Sequence, residues 1–406
     1  MMAAAETRTG NGQRVDEKKT DGFRSLSPAV WRASTVLFDD IDAFTTRKER
    51  LFDGYTYGVT GTPTTRALEA RIAGLEGARH CVVAPSGQAA LCLVGLSLLA
   101  AGDHVLIADA AYGPLRTFAR DYLARLGVEA ETYDPAIGAE IAALCRPDTR
   151  VIFMESPGSI TMEMQDIPAI VRVARAAGVL TVLDNIWASP LGFQGVPAGV
   201  DVVVEAASKL LGGHSDLLLG SIATDSRALY EKFRTAQSVL GQAVGADDCF
   251  LALRGMDTLQ LRYDHQCASA LQLASRLAAN PFVETVLFPP LPGDRGHARW
   301  AADFQGGGCV LSFVPRLRSA GQVAAFFGAL EVFRIGASWG GVHSLAAFYP
   351  EAEQSRRRFC TVDGGIVRLS VGLEPVERLL GDLEHALGLA ARDNAACEHL
   401  PDSSPS

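Results

Sequence analysis

Three short runs in this 406-residue chain carry chemically useful side chains just past apolar, strand-like segments. In HCVVAPSGQ the apolar run passes through Ser86-Gly87-Gln88 straight into a helical stretch. Free backbone N–H groups and the positive end of a helix dipole then meet at one point. That geometry serves either a phosphate cradle or a plain strand-to-helix turn with Ser86 as N-cap. No GxGxxG follows a first strand and no GxxxxGK[ST] occurs, so the dinucleotide and P-loop forms of a cradle are unsupported. In LTVLDN, Asp184 closes an apolar strand, where it is either a helix cap or the partner of a cationic group in the crevice beyond the strand ends. In DVVVEAASKLLGG, Lys209 emerges at the end of another interior strand. Most lysines are solvated surface groups. The flanks here are apolar and glycine-rich, so this amine can be desolvated and its pKa lowered, as a Schiff-base lysine requires.

Two further residues belong with these. Tyr112, in DAAYGP after the strand HVLIAD, can stack on a bound ring or simply pack on a helix. Arg368, in IVRLSVGLE, presents a fork suited to a carboxylate, or else forms a surface salt bridge. A phosphate cradle, a strand-end aspartate, an emergent lysine and a distant arginine are together what pyridoxal phosphate chemistry needs. Lysine holds the aldehyde, aspartate keeps the ring nitrogen protonated so that the ring acts as an electron sink, and arginine orients an amino acid.

Positioning these groups requires a sheet. From about Leu68 the chain alternates β-branched runs with helix-patterned stretches, which predicts strands near 80–85, 104–109, 128–134, 150–156, 180–185, 201–207 and 217–225. Several of these runs lack alternation, as strands buried on both faces do. Helical stretches such as GQAALCLVGLSLLAAG, PLRTFARDYLARLG and IPAIVRVARAAG end in glycine, a common C-cap. The expected fold is α/β, a mostly parallel seven-stranded sheet covered by helices, followed by a smaller α+β domain. That second domain holds a long helix, the strands GGCVLSFVP, FRIGAS and GGIVRLSVGLE, and a closing amphipathic helix. The organisation reads as an N-terminal arm over 1–55, its first ~25 residues loose, a large domain over 56–254, an α+β domain over 255–394 and a polar tail over 395–406.

Composition narrows the class. With 37 Lys plus Arg against 46 Asp plus Glu the net charge is -9, so a nucleic-acid role is disfavoured. The eight cysteines stand singly, with no CxxC pair or zinc-finger spacing; they read as buried free thiols of a reducing compartment, and no metal site is expected. The longest mainly apolar stretch, 89–101, is too short to span a bilayer, and the first residues are no secretory signal. The expectation is a cytoplasmic protein with no membrane partner.

The motifs YGVTGTPT, SGQAAL, GDHVLIADAAYGP, FMESPGSITMEMQDIPAI, LDNIWA, ASKLLGGHSD, SWGG and IVRLSVGLE resemble those of the Cys/Met-metabolism group of fold-type-I pyridoxal phosphate enzymes, and within it the cystathionine β-lyase branch. The similarity runs from about Ala33 to about Leu389. The resemblance implies pyridoxal 5'-phosphate as cofactor, Lys209 as Schiff-base lysine, Asp184 as pyridinium partner, Tyr112 as stacking ring and Arg368 as α-carboxylate anchor. Ser86, Gly87, Gln88 and Ser208 would hold the phosphate, and Ser338 and Trp339 would flank the substrate. Tyr57 would reach the neighbouring subunit's phosphate in a homodimer or homotetramer with shared sites. Trp339 stands where γ-specific enzymes usually have leucine, and Tyr112 precedes Gly-Pro without the cysteine of methionine γ-lyases, which favours β-elimination of a thiol from an amino-acid substrate. Two departures stand out. Val59 replaces an arginine that pairs with the adjacent subunit's phosphate, a contact worth about 1.5 to 3 kcal/mol, and His343 replaces a glutamate. Both leave γ-elimination, γ-replacement or a specialised C–C or C–S bond-forming reaction as the alternative.

Overall fold

A computed structural model of the chain describes residues 25–354 and 356–397, the last five by their backbone alone. The expected loose start of the arm, and most of the polar tail 395–406, lie outside the described residues. Seven strands build the first sheet: β1 (His80–Ala84), β2 (His104–Ala108), β3 (Glu129–Tyr133), β4 (Thr149–Glu155), β5 (Leu180–Asp184), β6 (Val202–Glu205) and β7 (Gly220–Thr224). Their order is β1-β7-β6-β5-β4-β2-β3. All neighbours are parallel except β7, which runs antiparallel to β1 and β6. Every residue of β2, β6 and β7 is buried, as expected of strands covered on both faces. Register places Glu155 beside Asp184 and Asp184 beside Val204, so the carboxyl ends of β4, β5 and β6 lie in line.

The second sheet contains β8 (Val283–Leu287), β9 (Val310–Pro315), β10 (Arg334–Ile335), β11 (Leu345–Tyr349) and β12 (Ile366–Ser370), in the order β10-β11-β12-β9-β8. β8 and β11 escape the sequence pattern. β8 is bulged and exposes Glu284 and Thr285, and β11 is LAAFY, with two helix-favouring alanines. FRIGAS contributes only two exposed edge residues. The stretch 114–127, expected as one helix, divides into an α-helix Gly113–Phe118, a π turn Ala119–Leu123 and a 3-10 turn Ala124–Leu126. The π turn keeps Phe118, Ala119 and Leu123 all facing the core.

Two helices are tied to β1 by a buried charge network. Arg234, fully buried on the helix Arg227–Val239, donates to Glu69 Oε2 at 2.7 Å and to Gln237 Oε1 at 2.6 Å. Glu69, on the helix Pro63–Leu75, also accepts from Arg66 at 2.9 Å and from Val83 N–H at 3.1 Å. Burial pushes the Glu69 carboxyl up, but the charges of Arg234 and Arg66 outweigh it and hold it below its ordinary value. Its contribution to stability is therefore present above the unfolded-state pKa and is lost as pH falls through the folded one. Glu69→Gln leaves Arg234 buried and unpaired, and is expected to cost about 3 to 5 kcal/mol at pH 7. The shortfall should shrink on acidification, as measured by urea denaturation at both pH values.

The seven cysteines with described side chains are free. Cys81, Cys249 and Cys309 are buried, whereas Cys92 and Cys267, on helix faces, and Cys145 and Cys360, in connecting segments, are only partly so. The side chain of Cys397 lies outside the described residues. Among the described residues no helix is long and apolar enough to cross a membrane, and no group of three His, Cys, Asp or Glu could hold a metal ion.

Candidate active site

A cleft opens at the carboxyl ends of β4, β5 and β6, bounded by the start of the helix Gly87–Leu98, the loop 157–162, and Ala337, Trp339 and Arg368 from the second sheet region. Lys209 lies four residues past β6, in a turn fixed by Lys209 N–H on Ala206 O at 2.9 Å and Gly213 N–H on Lys209 O at 2.7 Å. Gly340 presses against this turn with a φ of +80; a Cβ there would stand 3.1 Å from Leu210 N. Lys209 Nζ donates to Ser338 Oγ at 2.7 Å and lies 5.5 Å from the centroid of the Trp339 ring. Burial, helped by the positive charge of Arg368, lowers this amine to about 8. It is a lysine with an accessible neutral form near physiological pH.

Asp184 is the last residue of β5 and is 5% exposed. Its carboxylate accepts one hydrogen bond, from Ile186 N–H at 3.2 Å. Burial pushes it up to about 7, opposed by that hydrogen bond and by Lys209. It has no ion-pair partner of its own among the described residues, which is the state of a carboxylate that awaits a cation from outside the chain. Glu155, at the matching position of β4, also lines the cleft and accepts from Tyr112 N–H at 2.6 Å. Burial and the neighbouring Asp184 push its carboxyl well up.

Ser86 is the N-cap of its helix and also borders the cleft. Its Oγ caps the helix by accepting from Ala89 N–H at 3.0 Å, and Ser86, Gly87 and Gln88 all line the cleft. Close packing demands small residues here: a Cβ on Gly87 would lie 2.9 Å from that of Ala206, and one on Gly220 would lie 2.2 Å from Ser86 O. Gln88 Oε1 is buried without a partner, while its amide reaches Pro114 O at 3.3 Å. Ser208 also borders the cleft; its hydroxyl accepts from Leu219 N–H at 2.8 Å and donates to Leu219 O at 3.2 Å.

Arg368 is 9% exposed and donates to Ala337 O at 2.7 Å and Ser338 O at 3.3 Å. Among the described residues it meets no carboxylate, so the surface salt bridge is not formed. Tyr112 is 43% exposed and borders the cleft. Tyr57 is not brought there: it is 54% exposed, in extended backbone just before the 3-10 turn Gly58–Thr60 that contains Val59. Thr60, Thr62 and Arg66 do not supply a loose charge beside Val59. Thr60 donates to Tyr57 O, Thr62 meets Thr65, and Arg66 is engaged by Glu69. His343 also stands outside the cleft, exposed, with Nδ1 3.8 Å from Glu374 Oε1.

Sequence reasoning missed Glu155, Trp187 and the loop residues Ile160 and Met162 as cleft walls. Glu155 carried a usable signal, since it closes an apolar run as Asp184 does. Ile160 and Met162 adopt positive φ, 71 and 59. For a β-branched residue this is rare backbone, and no local pattern announces it. Trp187 is held by its indole N–H on Val310 O at 2.9 Å, a contact between the two halves of the chain.

A lysine of lowered basicity, a buried unpaired carboxylate and a helix N-terminus, gathered at one end of a seven-stranded α/β sheet, define an enzyme class built around an aldehyde cofactor with an anionic group and a basic ring nitrogen. Residues 11–388 match the family model of Cys/Met metabolism PLP-dependent enzymes, and the chain belongs to that family, whose cofactor is pyridoxal 5'-phosphate. The cystathionine beta-lyase of Bordetella avium is 40% identical over 371 residues, 90% of this chain and 92% of that protein. The L-alanine/L-glutamate racemase of Wolbachia pipientis wMel is 35% identical over 389 residues, 92% of this chain and 95% of that protein. Among solved structures, metB from Corynebacterium glutamicum superposes with a TM-score of 0.81 at 29% identity, covering 91% of this chain and 94% of that one.

Proposed function

We propose that the chain is a pyridoxal-phosphate-dependent carbon–sulfur β-lyase, acting on cystathionine or a related sulfur amino acid and giving a thiol, pyruvate and ammonia. The observation that carries this reading is Lys209 Nζ, lowered to about 8 and 2.7 Å from Ser338 Oγ, in a cleft that also presents Asp184 and Arg368. The names of relatives such as the Bordetella avium protein support it. The N–H groups at Ser86, Gly87 and Gln88, with Ser208, would hold the cofactor's phosphate, Tyr112 its ring face, Asp184 its ring nitrogen and Lys209 its aldehyde carbon. When bound, the cofactor supplies an electron sink for charge developing at the substrate Cα.

Arg368 takes the substrate α-carboxylate, which sets the Cα–H bond toward Lys209. Neutral Nζ accepts the Cα proton; the Cα–H electrons form a Cα–Cβ double bond, and the thiolate departs from Cβ with the C–S pair. Water then converts the unsaturated amine to pyruvate and ammonia. Arg368→Lys removes the planar fork. It is expected to lower kcat/KM by roughly 10- to 150-fold, mostly through KM, the equivalent of about 1.5 to 3 kcal/mol of charge-assisted hydrogen bonding.

The racemase relative motivates a second reading, in which Nζ takes the same proton but no Cβ bond breaks. An assay panel decides. Pyruvate from cystathionine supports β-elimination, 2-oxobutyrate supports the γ-alternative, and D-alanine formation with solvent deuterium at Cα supports racemisation.

The reading extends to assembly. Tyr57, exposed and away from its own chain's cleft, would serve the site of a neighbouring copy in a homodimer or homotetramer, with the arm 1–55 leading into a large domain (56–254) and an α+β domain (255–394). Light scattering that returned a strict monomer would remove this role. Free cysteines are consistent with a cytoplasmic location.

A further inference from the structure

Behind Asp184, on the other face of the sheet, lies a second set of acids that the proposed chemistry does not use. Side chains alternate along a strand, so Asn185 points away from the face that Asp184 presents to the cleft. Asn185 N–H donates to Val204 O at 3.1 Å, and Glu205 is paired in register with Ser221. Asn185, Glu205 and Ser221 thus share that opposite face. Glu76, which ends the helix Pro63–Leu75, joins them. All four are almost wholly buried: Glu76 at 0%, Asn185 and Ser221 at 1%, Glu205 at 2% exposure.

The cluster is rich in acceptors and poor in donors. Both carboxyl oxygens of Glu76, Oε1 of Glu205, Oδ1 of Asn185 and Oγ of Ser221 have no hydrogen-bond partner. Asn185 neighbours both carboxyls and, among the described residues, is the one side-chain donor turned toward them; one of its two Nδ2 hydrogens is taken by Phe193 O at 2.8 Å, which leaves a single N–H for four carboxyl oxygens. No Lys, Arg or His pairs with Glu76 or Glu205 among the described residues. The surrounding elements bring Cys81 on β1, Asp184 on β5 and Glu69 on the helix of Glu76, the last already matched by Arg234 and Arg66. Two buried carboxylates at this spot with no cation between them are untenable. A carboxylic O–H supplies the donor that the geometry lacks.

We propose that Glu76 and Glu205 form a buried acid pair that keeps its protons at neutral pH, so that the carboxylate charge at this end of β5 and β6 belongs to Asp184 alone. The pair is a positioning device: it holds the floor under Asp184 without adding a competing charge. Burial pushes Glu76 to about 8, and Glu205 is raised by burial, by Glu76 and by Asp184. Between the ordinary glutamate value and about pH 8, the folded chain therefore retains protons that the unfolded chain releases. Over that window the folded-to-unfolded ratio falls up to about tenfold per pH unit for each retained proton.

Infrared difference spectra of the cofactor-loaded protein between pH 7 and 10 should show a protonated-carboxyl C=O band that weakens in Glu76→Gln and in Glu205→Gln. Urea midpoints of either variant should fall less than the wild type's from pH 6 to 8, and should exceed it above pH 8. Either variant suffices if the other does not fold, since each removes one acid. A band unchanged in a folded variant overturns the proposal, as does an unaltered pH slope. Selective stabilisation by potassium over tetramethylammonium also overturns it, because that places a metal cation where the proton is assigned.

Discussion

Lys209→Ala is expected to lower turnover by about 10⁴-fold or more, while leaving circular dichroism and the urea midpoint close to wild type. Among the described residues Lys209 Nζ is the one amine that lines the cleft, and its lowered basicity removes the main obstacle to its acting as nucleophile and base. A surface lysine is protonated almost completely at pH 8, whereas Lys209, lowered to about 8, has its neutral form well populated there. The sign follows from the direction of the shift: raising pH frees the amine, and the gain levels off just above pH 8. Capture of added pyridoxal phosphate by apoprotein, followed by visible absorbance, should trace that rise and be absent in Lys209→Ala. Lys209→Arg should be equally inactive, because a guanidinium keeps its proton. A variant that retains both the absorbance and pyruvate formation would move the reaction to another residue.

The second large effect is expected at Asp184. Asp184→Asn preserves shape and removes the carboxylate that we propose would hold the ring nitrogen, and should lower kcat by roughly 10²- to 10⁴-fold, the range of a well-placed proton-holding group. Stability should move the other way. Without the cofactor, burial raises Asp184 to about 7, so the folded chain holds a proton that the unfolded chain releases above its ordinary aspartate value. Stability then declines as pH rises through that window, and Asp184→Asn removes the decline. Cofactor-free Asp184→Asn is therefore expected to match or exceed the wild-type urea midpoint at pH 8 while being nearly inactive when loaded. A variant that is both unstable and inactive would mark Asp184 as a packing residue instead.

The two results differ in how far they could be read in advance. Lys209, Asp184 and Ser86 were legible because each ends an apolar run, and an apolar run that stops at a polar residue marks the end of a buried strand whatever its partners. The flanks of Lys209 already implied desolvation. The share of its shift due to Arg368 was not readable, because 159 residues separate the two and only the packing of the second sheet against the first brings them close. Strands β8 and β11 were lost for a related reason: an edge bulge and an alanine-rich stretch become strands through their neighbours, not through their own preferences.

By itself, then, the sequence determined the alternating α/β plan and the strand ends that carry Asp184 and Lys209, since periodicity and apolar runs are local properties of the chain; the family followed from the likeness of its motifs. Tertiary structure alone decided which ends share a cleft. It left Tyr57, Val59 and His343 outside that cleft, set Glu155 beside Asp184, and placed Glu76 and Glu205 back to back with the site. Those outcomes depend on strand order and register, where a shift of one residue exchanges the faces of the sheet. Asp184 faces the cleft and Asn185 the acid pair for that reason.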